Sequence, residues 1–241
     1  MFGADRRDIM KGYIFDFGGT IDTSGCHWGR LLWHAMERNG VPVTEEQFRE
    51  AYVYAERTLG SNPIIQTNYD FNKTIEIKLR IEMEYFVRSK MWDCTEAEWR
   101  AMHARILDDV YGIVSKTIAE NKKVLEKIAE EYPIVLVSNF YGNMQVVLKE
   151  FGLDKLFKSV VESAVVGIRK PDERIFRMGV EALGMEPEDV TVVGDSFKKD
   201  ILPSKKIGCK AVWIKGEGWT DERFDETIPD RVITSLKELI L

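Results

Sequence analysis

The stretch GYIFDFGGTID, residues 12–22, places an aspartate directly after a short apolar run. Compact apolar runs of this kind are typical of strands buried on both faces of a parallel sheet. Asp16 then lies at the carboxyl end of the predicted strand. Because open α/β sheets bind ligands just outside the carboxyl ends of their strands, we expect Asp16 to lie in a ligand site. We interpret Thr20 and Asp22 as residues that hold the turn after the strand.

The same kind of apolar run recurs in the rest of the chain, at residues 134–137, 160–161, 190–193 and 211–214. Helical patterns lie between and after these runs, at residues 121–131, 142–151, 171–183, 198–207 and 235–240. Strands that alternate with helices in this way predict a doubly wound, Rossmann-like α/β fold around a parallel sheet.

Residues 24–118 interrupt this alternation, since they contain long helical patterns and no convincing strand. The first of these patterns has one apolar face, formed by Trp28, Leu31, Leu32, Ala35 and Met36. Gly40 follows as a stop signal for that helix. We therefore predict an α/β core domain over residues 1–23 and 119–241, and an inserted helical-bundle domain over residues 24–118.

Further helices of the insert have their own start signals. Thr44 with Gln47, and Thr95 with Glu98, have the spacing of a capping box. That spacing predicts helices that begin at about residues 45 and 96. A fourth helix is predicted over about residues 72–90. The polar and aromatic linker at residues 61–71 is of a kind that can overhang a site.

Composition restricts the class of protein. The 241 residues carry 34 Lys plus Arg against 40 Asp plus Glu, a formal net charge of -6, so binding to nucleic acid or to anionic membranes is not expected. Cys26, Cys94 and Cys209 lie far apart, as is typical of free thiols in a reducing compartment. The amino-terminal residues do not resemble a signal peptide, so we expect a cytoplasmic protein, monomeric or homodimeric.

Polar residues follow three more of the predicted strands. Ser138 and Asn139 follow the run at 134–137 and supply a hydroxyl and an amide for a phosphate oxygen. Lys170 precedes Pro171, which we place at the first position of a helix, so that Lys170 points inward as a fixed charge.

Asp195 follows the run at 190–193, and Asp200 lies five residues further on. With Asp16, these carboxylates repel one another unless a cation lies among them, and oxygen ligands suit Mg²⁺. The arrangement predicts phosphoryl transfer, in which Mg²⁺ and Lys170 neutralise the phosphate and Asp16 attacks phosphorus. Backbone N–H groups after Asp16, beginning at Phe17, are expected to bind the phosphate oxygens.

These residues, in this order along the whole chain, resemble the haloacid dehalogenase (HAD) superfamily. DFGGT is similar to its first motif, Ser138 to the second, Lys170 to the third and GDSFKKD to the fourth. The resemblance implies a phosphoric monoester hydrolase acting on a small phosphorylated metabolite, with the helical insert as a cap. It also implies that Asp16 and Lys170 are catalytic. The implied substrate contacts are Phe17, Gly18, Ser138, Asn139 and Lys170, and the implied metal ligands are Asp16, the Gly18 carbonyl, Asp195 and the supporting Asp200.

Gly18 departs from the family pattern, in which the second residue after the nucleophile is normally an aspartate that acts as general acid and base. Loss of general acid–base help costs ~10²- to 10⁴-fold in rate, so we expect slow turnover. The alternatives are a weakly catalytic, phosphate-binding regulatory protein and a dehalogenase-type or phosphonatase-type hydrolase. A phosphonatase needs a lysine in the cap that forms an imine, for which Lys73, Lys78 and Lys90 are available.

The tryptophans and methionines of the insert are expected to form bundle core rather than a substrate pocket. They are Trp28, Trp33, Trp92, Trp99, Met36, Met83, Met91 and Met102. The histidines His27, His34 and His103 have no metal-ligand spacing. Of these three, His27 lies nearest the start of the first helix of the insert, so it is the one we expect to reach substrate.

Overall fold

The computed structural model describes residues 12–240 and contains a six-stranded parallel sheet. The strands are β1 Gly12–Phe15, β2 Ile134–Ser138, β3 Ser159–Glu162, β4 Val190–Gly194, β5 Lys210–Ile214 and β6 Arg231–Ile233. Their order across the sheet is β3-β2-β1-β4-β5-β6, and every neighbouring pair is parallel. The predicted fold class is therefore confirmed, with β6 as a strand that the sequence did not predict.

Eight α-helices are present within residues 12–240. They are α1 Trp28–Asn39, α2 Glu45–Ser61, α3 Phe71–Arg88, α4 Glu96–Glu131, α5 Met144–Glu150, α6 Ser163–Val166, α7 Arg174–Leu183 and α8 Leu202–Lys206. Short 3-10 helices lie at Pro187–Asp189 and Leu236–Ile240, and a π-helical turn lies at Phe197–Ile201. The last helix predicted, over residues 235–240, is thus a 3-10 helix.

Helices cover both faces of the sheet, which explains why its strands have continuous apolar runs. On one face Ile14 belongs to the same hydrophobic cluster as Phe176 of α7. On the other face Phe15 belongs to a cluster that includes Leu125 of α4 and Leu148 of α5. Burial of each such side chain contributes about 1.5–3 kcal/mol, so alternate residues of one strand stabilise two layers.

Helices α1–α4 lie between β1 and β2, where the sequence predicted an insert over residues 24–118. Both predicted capping boxes are present, at Thr44 with Gln47 and at Thr95 with Glu98. Gly40 ends α1 in the left-handed conformation, with φ of 72°, as its position after the apolar face predicted.

Helix α4 is longer than the sequence indicated, because residues 121–131, predicted as a separate helix, are its last part. The predicted domain boundary at residue 118 falls within this continuous helix. Asn121 Nδ2 donates to the Ile21 carbonyl at 2.8 Å, which ties α4 to the loop after β1. The division into core and cap domains stays a prediction.

Two helix starts were predicted wrongly. Pro171 is not at the first position of α7, which begins at Arg174. The carboxylate of Asp172 accepts the Arg174 backbone N–H at 3.0 Å, and Asn139 holds the backbone of Lys170, so the chain is turned before the helix begins. The helix predicted over residues 198–207 begins instead as the π-helical turn, before α8.

The predicted absence of a signal peptide concerns residues 1–11, which lie outside the described part of the chain. Within residues 12–240, none of the helices combines the length and the apolarity that crossing a membrane requires. Cys26, Cys94 and Cys209 are free thiols, as predicted.

Candidate active site

The carboxyl ends of β1 and β4 lie side by side in the middle of the sheet, because these strands are hydrogen-bonded neighbours. The strand order reverses at this pair, with β2 and β3 on one side and β5 and β6 on the other. A parallel sheet has a crevice where its order reverses, and ligands bind there. Asp16 follows β1 and Asp195 follows β4, so the topology brings these two aspartates to the crevice.

Lys170 places a buried ammonium group between two carboxylates. Its Nζ lies 2.5 Å from Asp16 Oδ1 and 2.7 Å from Asp200 Oδ1. Lys170 is 4% exposed and Asp200 1% exposed. Burial lowers the pKa of Lys170, but Asp16 and Asp200 outweigh that effect and raise the pKa above its usual value. Lys170 therefore carries a fixed positive charge beside Asp16.

The loop after β1 brings Asp16 and Asp195 together. The Thr20 hydroxyl lies 3.3 Å from Asp16 Oδ2 and 3.3 Å from Asp195 Oδ1. The loop passes so close to Asp195 that a Cβ on Gly19, whose φ is +95°, would lie 2.4 Å from that carboxylate. Only glycine fits there, so Gly19 permits the approach of the two aspartates and Thr20 supplies a hydroxyl that they share.

The segment after β4 positions Asp200. The Ser196 backbone N–H donates to Asp200 Oδ2 at 3.0 Å, while Asp200 Oδ1 accepts from Lys170. A Cβ on Gly194 would lie 2.5 Å from the Cβ of Asp200, so a side chain at position 194 would displace Asp200. Since both Asp200 oxygens are engaged, Asp200 holds Lys170 in place beside Asp16.

The three aspartates have an all-oxygen donor arrangement that fits a divalent cation. One carboxylate oxygen from each of Asp16, Asp195 and Asp200 lies within 4.8 Å of the others. Burial raises the pKa of Asp16 to about 6, with Lys170 opposing the rise. Burial, followed by the charges of Asp16 and Asp200, raises the pKa of Asp195. Three carboxylates face one lysine, and a bound cation would offset the remaining negative charge.

Ser138 and Asn139 differ in how they are engaged. Asn139 Oδ1 accepts the Lys170 backbone N–H at 2.8 Å, and Asn139 Nδ2 donates to the Lys170 carbonyl at 3.1 Å. Asn139 thus clamps the backbone that carries Lys170. Ser138 ends β2 and lines the same cavity as Asp16. The substrate contacts predicted for Ser138 and Asn139 stay predictions.

Space is available beside Gly18 for a larger side chain. A Cβ on Gly18 would have Trp28 Nε1 at 3.8 Å and Asp22 Oδ2 at 4.0 Å, which are ordinary contact distances. Asp22 accepts from the Gly19 backbone N–H at 2.7 Å and from Trp28 Nε1 at 2.8 Å. Burial raises the pKa of Asp22 to about 7, but Asp22 is 1% exposed and does not line the cavity. Asp22 therefore holds the loop to α1.

Phe17 has a fully buried ring, packed edge-on against Phe71 and Phe140. Its backbone N–H interacts with the Asp16 carboxylate and lowers the pKa of Asp16. The predicted contact of Phe17 with substrate concerns this backbone group and stays a prediction.

A cavity of about 700 Å³ is lined both by this sheet edge and by the inserted helices. From the sheet edge it is lined by Asp16, Gly18, Ser138, Asn139, Lys170, Asp195 and Asp200. The sequence analysis did not predict that Tyr52 and Glu56 of α2 line the cavity. The spacing of apolar and charged residues in α2 is that of any amphipathic helix, so it does not indicate which side chains face a cavity. Residues 61–71 contribute Ser61, Asn62, Pro63, Ile65 and Phe71, as the overhanging linker predicted.

The expectation that the tryptophans and methionines of the insert form bundle core is confirmed, with Trp28 as the exception. Trp28 lines the cavity, and the rest pack in the hydrophobic core. His27 also lines the cavity; its Nδ1 accepts the Gly29 backbone N–H at 3.0 Å. Burial lowers the pKa of His27 to about 4, so this imidazole is neutral at pH 7. A neutral imidazole is a poor general acid.

Among the three lysines considered for an imine, Lys78 lines the cavity, whereas Lys73 and Lys90 are exposed away from it. Burial lowers the pKa of Lys78, but Glu56 outweighs that effect and raises the pKa well above its usual value. An imine-forming lysine needs a neutral amine, so the charged Lys78 disfavours the phosphonatase alternative.

Comparison with known proteins gives a family and several relatives. Residues 10–208 match the family model of haloacid dehalogenase-like hydrolases. A glyceraldehyde 3-phosphate phosphatase of Methanothermobacter thermautotrophicus is 34% identical over 96% of this chain and 100% of its own length. A phosphoserine phosphatase of Thermus thermophilus is 40% identical over 37% of this chain, and the match spans 35% of that relative. This chain thus aligns with about a third of the Thermus protein's length.

Among solved structures, a HAD hydrolase described as YfnB of Bacillus subtilis superposes with a TM-score of 0.58. The superposition covers 95% of this chain and 96% of the other, at 16% sequence identity. Identity at that level establishes a shared fold and no more.

Proposed function

The chain belongs to the haloacid dehalogenase-like hydrolases, and from that premise we propose that it hydrolyses a phosphoric monoester of a small metabolite through an aspartyl-phosphate on Asp16. The observation that carries the proposal is the position of Asp16 at the crevice, with Lys170 Nζ at 2.5 Å and Asp195 sharing the Thr20 hydroxyl. Relatives named as phosphatases support the same reaction class.

We propose that the divalent cation of this site is Mg²⁺. Asp16, Asp195 and the Gly18 carbonyl would hold the ion, with Asp200 in support. When bound, the ion supplies positive charge that offsets the phosphoryl oxygens and the facing carboxylates.

The first step transfers the phosphoryl group to the enzyme. The Asp16 carboxylate attacks phosphorus, an O–P bond to Asp16 forms, and the bond from phosphorus to the ester oxygen breaks. Lys170 and Ser138 bind the non-bridging oxygens, while Asn139 and Asp200 hold Lys170 in position. The alcohol then leaves with the bonding electron pair and takes a proton from solvent, because Gly18 has none to donate.

The second step returns the site to its starting state. Water attacks phosphorus, the bond to Asp16 breaks with its electron pair returning to the carboxylate, the proton of the water passes to solvent, and inorganic phosphate leaves. No side chain at position 18 removes the proton from water, and Asp22 is closed off from the cavity. We therefore propose that hydrolysis of the aspartyl-phosphate is the slow step, and that the adduct accumulates.

Acid-quench trapping tests the proposal. Wild-type protein with Mg²⁺ and radiolabelled acetyl phosphate is expected to yield an acid-stable phosphoprotein, labelled at Asp16. Asp16→Asn, which keeps the side-chain shape, is expected to yield none. A panel of alkyl phosphates, with glyceraldehyde 3-phosphate and phosphoserine included, then measures turnover. Absence of both adduct and turnover across the panel would contradict the proposal.

Gly18 favours a second candidate function, a regulatory protein that binds a phosphorylated ligand and turns it over poorly. Both functions use the same groups, since Lys170 and Ser138 bind phosphate in either case. They differ in rate: stoichiometric binding of an alkyl phosphate without release of inorganic phosphate over hours would favour the regulatory function.

We further propose that residues 24–118 act as a cap domain that closes over the crevice and excludes water. The cavity wall supports this, because it contains residues from α2 and α3 as well as from the sheet edge. Solution scattering with Mg²⁺ and tetrafluoroberyllate is expected to give a smaller radius of gyration than without them. Identical profiles at saturation would count against closure. A cytoplasmic location and a monomeric or homodimeric state stay predictions.

A further inference from the structure

The part of the cavity formed by the insert has an unexpected charge. Apart from Asp16, Lys170, Asp195 and Asp200, the described residues that line the cavity include four charged side chains, Glu56, Lys78, Arg169 and Lys199. Three cations thus face one anion, in a chain whose formal net charge is -6. Since the catalytic groups account for the phosphoryl group, this positive region is available to another part of a ligand.

Lys78 is the buried member of this set. Its side chain is 10% exposed, and its Nζ forms an ion pair with Glu56 and lies 4.5 Å from the centre of the Tyr52 ring. An ammonium group has three donors, and Glu56 accepts one of them. Glu82, one turn further along α3, does not compensate the charge, because burial raises the pKa of Glu82 to about 8 and keeps it protonated.

Glu56 and Arg169 are more accessible than Lys78. The Glu56 side chain is 42% exposed, so it can move aside or be solvated when a ligand approaches Lys78. Arg169 precedes the catalytic lysine, and its guanidinium lies 4.0 Å from the position of a Cβ on Gly60 at the end of α2. Within residues 12–240, Arg169 and Lys199 form no salt bridge. Their charges remain available inside the cavity.

We infer that the substrate carries a second anionic group, a carboxylate or a second phosphate, and that Lys78 and Arg169 bind this group where the insert lines the cavity. The inference rests on the proposed function for the phosphoryl end of the ligand. Burial of an anion against a desolvated ammonium gives charge-assisted hydrogen bonds, which are about twice as strong as neutral ones. A phosphate ester with an apolar or neutral tail leaves Lys78 with Glu56 alone and binds more weakly.

Non-hydrolysable phosphonates test the inference without relying on turnover. Three series with one to four methylene groups are compared by calorimetry in Mg²⁺: ω-carboxyalkylphosphonates, alkane diphosphonates and alkylphosphonates that end in methyl. At the chain length that spans the cavity, an anionic end is expected to bind at least ~10-fold more tightly than the methyl end, as charge-assisted hydrogen bonds do. The first two series distinguish a carboxylate from a phosphate.

Variants locate the effect. Lys78→Met and Arg169→Met are each expected to reduce the anion-to-methyl affinity ratio at least ~3-fold, as loss of one such hydrogen bond does. The matched control is Lys73→Met on the same helix, because Lys73 is exposed and pairs with Glu76 at 2.5 Å. It is expected to keep the wild-type ratio. Arg169 is exposed, so its variant tests the inference even if Lys78→Met does not fold.

Three results overturn the inference. An affinity ratio near one for the wild type at every chain length, with methyl-ended phosphonates bound, means that no second anion is recognised, while the proposed function stands. A high ratio that neither variant lowers means that the anion binds elsewhere. If no phosphonate binds and no aspartyl-phosphate forms, the proposed function and the inference both fail.

Discussion

Two buried lysines face the same cavity, Lys170 from the sheet edge and Lys78 from the inserted helices, and they are compensated differently. Lys170 lies between two carboxylates, Asp16 and Asp200, and both distances are at most 2.7 Å. Within residues 12–240, Lys78 has one ion-pair partner, Glu56, and a protonated neighbour, Glu82. In this described part of the chain, Lys170 thus has one ammonium donor left for a ligand, whereas Lys78 has two.

We therefore expect Lys170 to serve the reaction and Lys78 to serve recognition of the ligand. At the sheet edge, the backbone of β1 and β4 sets the positions of Asp16 and Asp195, so the reacting groups are preorganised. In the insert, the charges lie on helix faces whose positions depend on packing against one another. Substitutions of the reacting groups at the sheet edge should alter the rate of phosphoryl transfer. Substitutions of the charged residues in the insert should alter substrate selectivity and protein stability.

Lys170→Met is expected to have the largest effect. Loss of the charge beside Asp16 should lower phosphoryl transfer at least ~10²-fold, as removal of one preorganised donor does. It should also destabilise the fold, because Asp16 and Asp200 are left as unpaired buried carboxylates. Single-turnover kinetics and chemical denaturation measure the two effects.

Lys198→Met is the matched control for Lys170→Met, because Lys198 is exposed, pairs with Glu222 and does not line the cavity. Its rate of phosphoryl transfer should stay within a few-fold of the wild type. Equal losses in both variants would contradict a specific role for Lys170.

Asp195→Asn is expected to weaken Mg²⁺ binding at least ~10-fold, because loss of even an outer-shell partner of a metal ligand typically costs ~10- to 100-fold. The physical reason is that Asn supplies a neutral oxygen where the facing Asp16 and Asp200 require a cation. Calorimetry on the variant and the wild type measures the dissociation constants. Binding as tight as in the wild type would show that the metal assignment is wrong.

Gly18→Asp is expected to raise turnover of alkyl phosphates at least ~10-fold by restoring a general acid, a fraction of the usual effect. A Cβ added at position 18 would have its nearest neighbour at 3.8 Å, which leaves room for the side chain. Trapped aspartyl-phosphate should decrease in parallel. Gly18→Ala, which adds the Cβ without the acid, is the control and should leave turnover slow. A wild-type rate already typical of efficient phosphatases, unaltered by Gly18→Asp, would contradict the prediction that Gly18 makes turnover slow.

Glu82→Met is expected to have the smallest effect, a gain in stability of about 1 kcal/mol at pH 5, because both carboxyl oxygens of Glu82 are buried without hydrogen-bond partners within residues 12–240. The gain should depend on pH. The folded-state pKa of about 8 exceeds the ordinary 4.5, so the folded state holds the proton more tightly and wild-type stability falls as pH rises from about 4.5 to about 8.

The stability of Glu82→Met should lack this fall, so its advantage over the wild type should grow across the same pH range. Glu84→Met is the control on the same helix, since Glu84 is exposed and pairs with Arg80 at 3.4 Å. Denaturant titrations between pH 5 and pH 8 measure both. An advantage that shrinks with rising pH would show that Glu82 is ionised in the fold.

Most strands of the sheet, and the position of Asp16 at its edge, were predictable from the amino-acid sequence. Five of the six strands were predicted, because each contains an apolar run that lies between helical patterns. β6 was missed, since only Ile233 of its three residues is buried and three residues carry no periodicity. Asp16 and Asp195 were predicted to meet because parallel strands end at one edge, and the structure brings them together. Lys170 joins them, although the helix start at Pro171 from which its position was predicted is wrong.

The start of α7 was predicted wrongly for a tertiary reason. Pro171 suits the first turn of a helix. However, the side chain of Asn139, which lies thirty-one residues before Lys170, accepts from the Lys170 backbone N–H and donates to the Lys170 carbonyl. A pattern of neighbouring residues carries no signal for that contact. The same holds for Thr20, whose hydroxyl lies between carboxylates at positions 16 and 195.

Local order along the chain was enough for the fold class, the helix caps at Thr44 and Thr95, and the edge of the sheet at which Asp16 lies. These features depend on periodicity and on contacts within a few residues, which the order of side chains specifies directly. The pairing of Lys78 with Glu56, the protonation of Glu82 and the closure of Asp22 from the cavity depended on the packing of α2, α3 and the loop after β1. Burial sets those charges, and burial is decided by which distant surfaces meet.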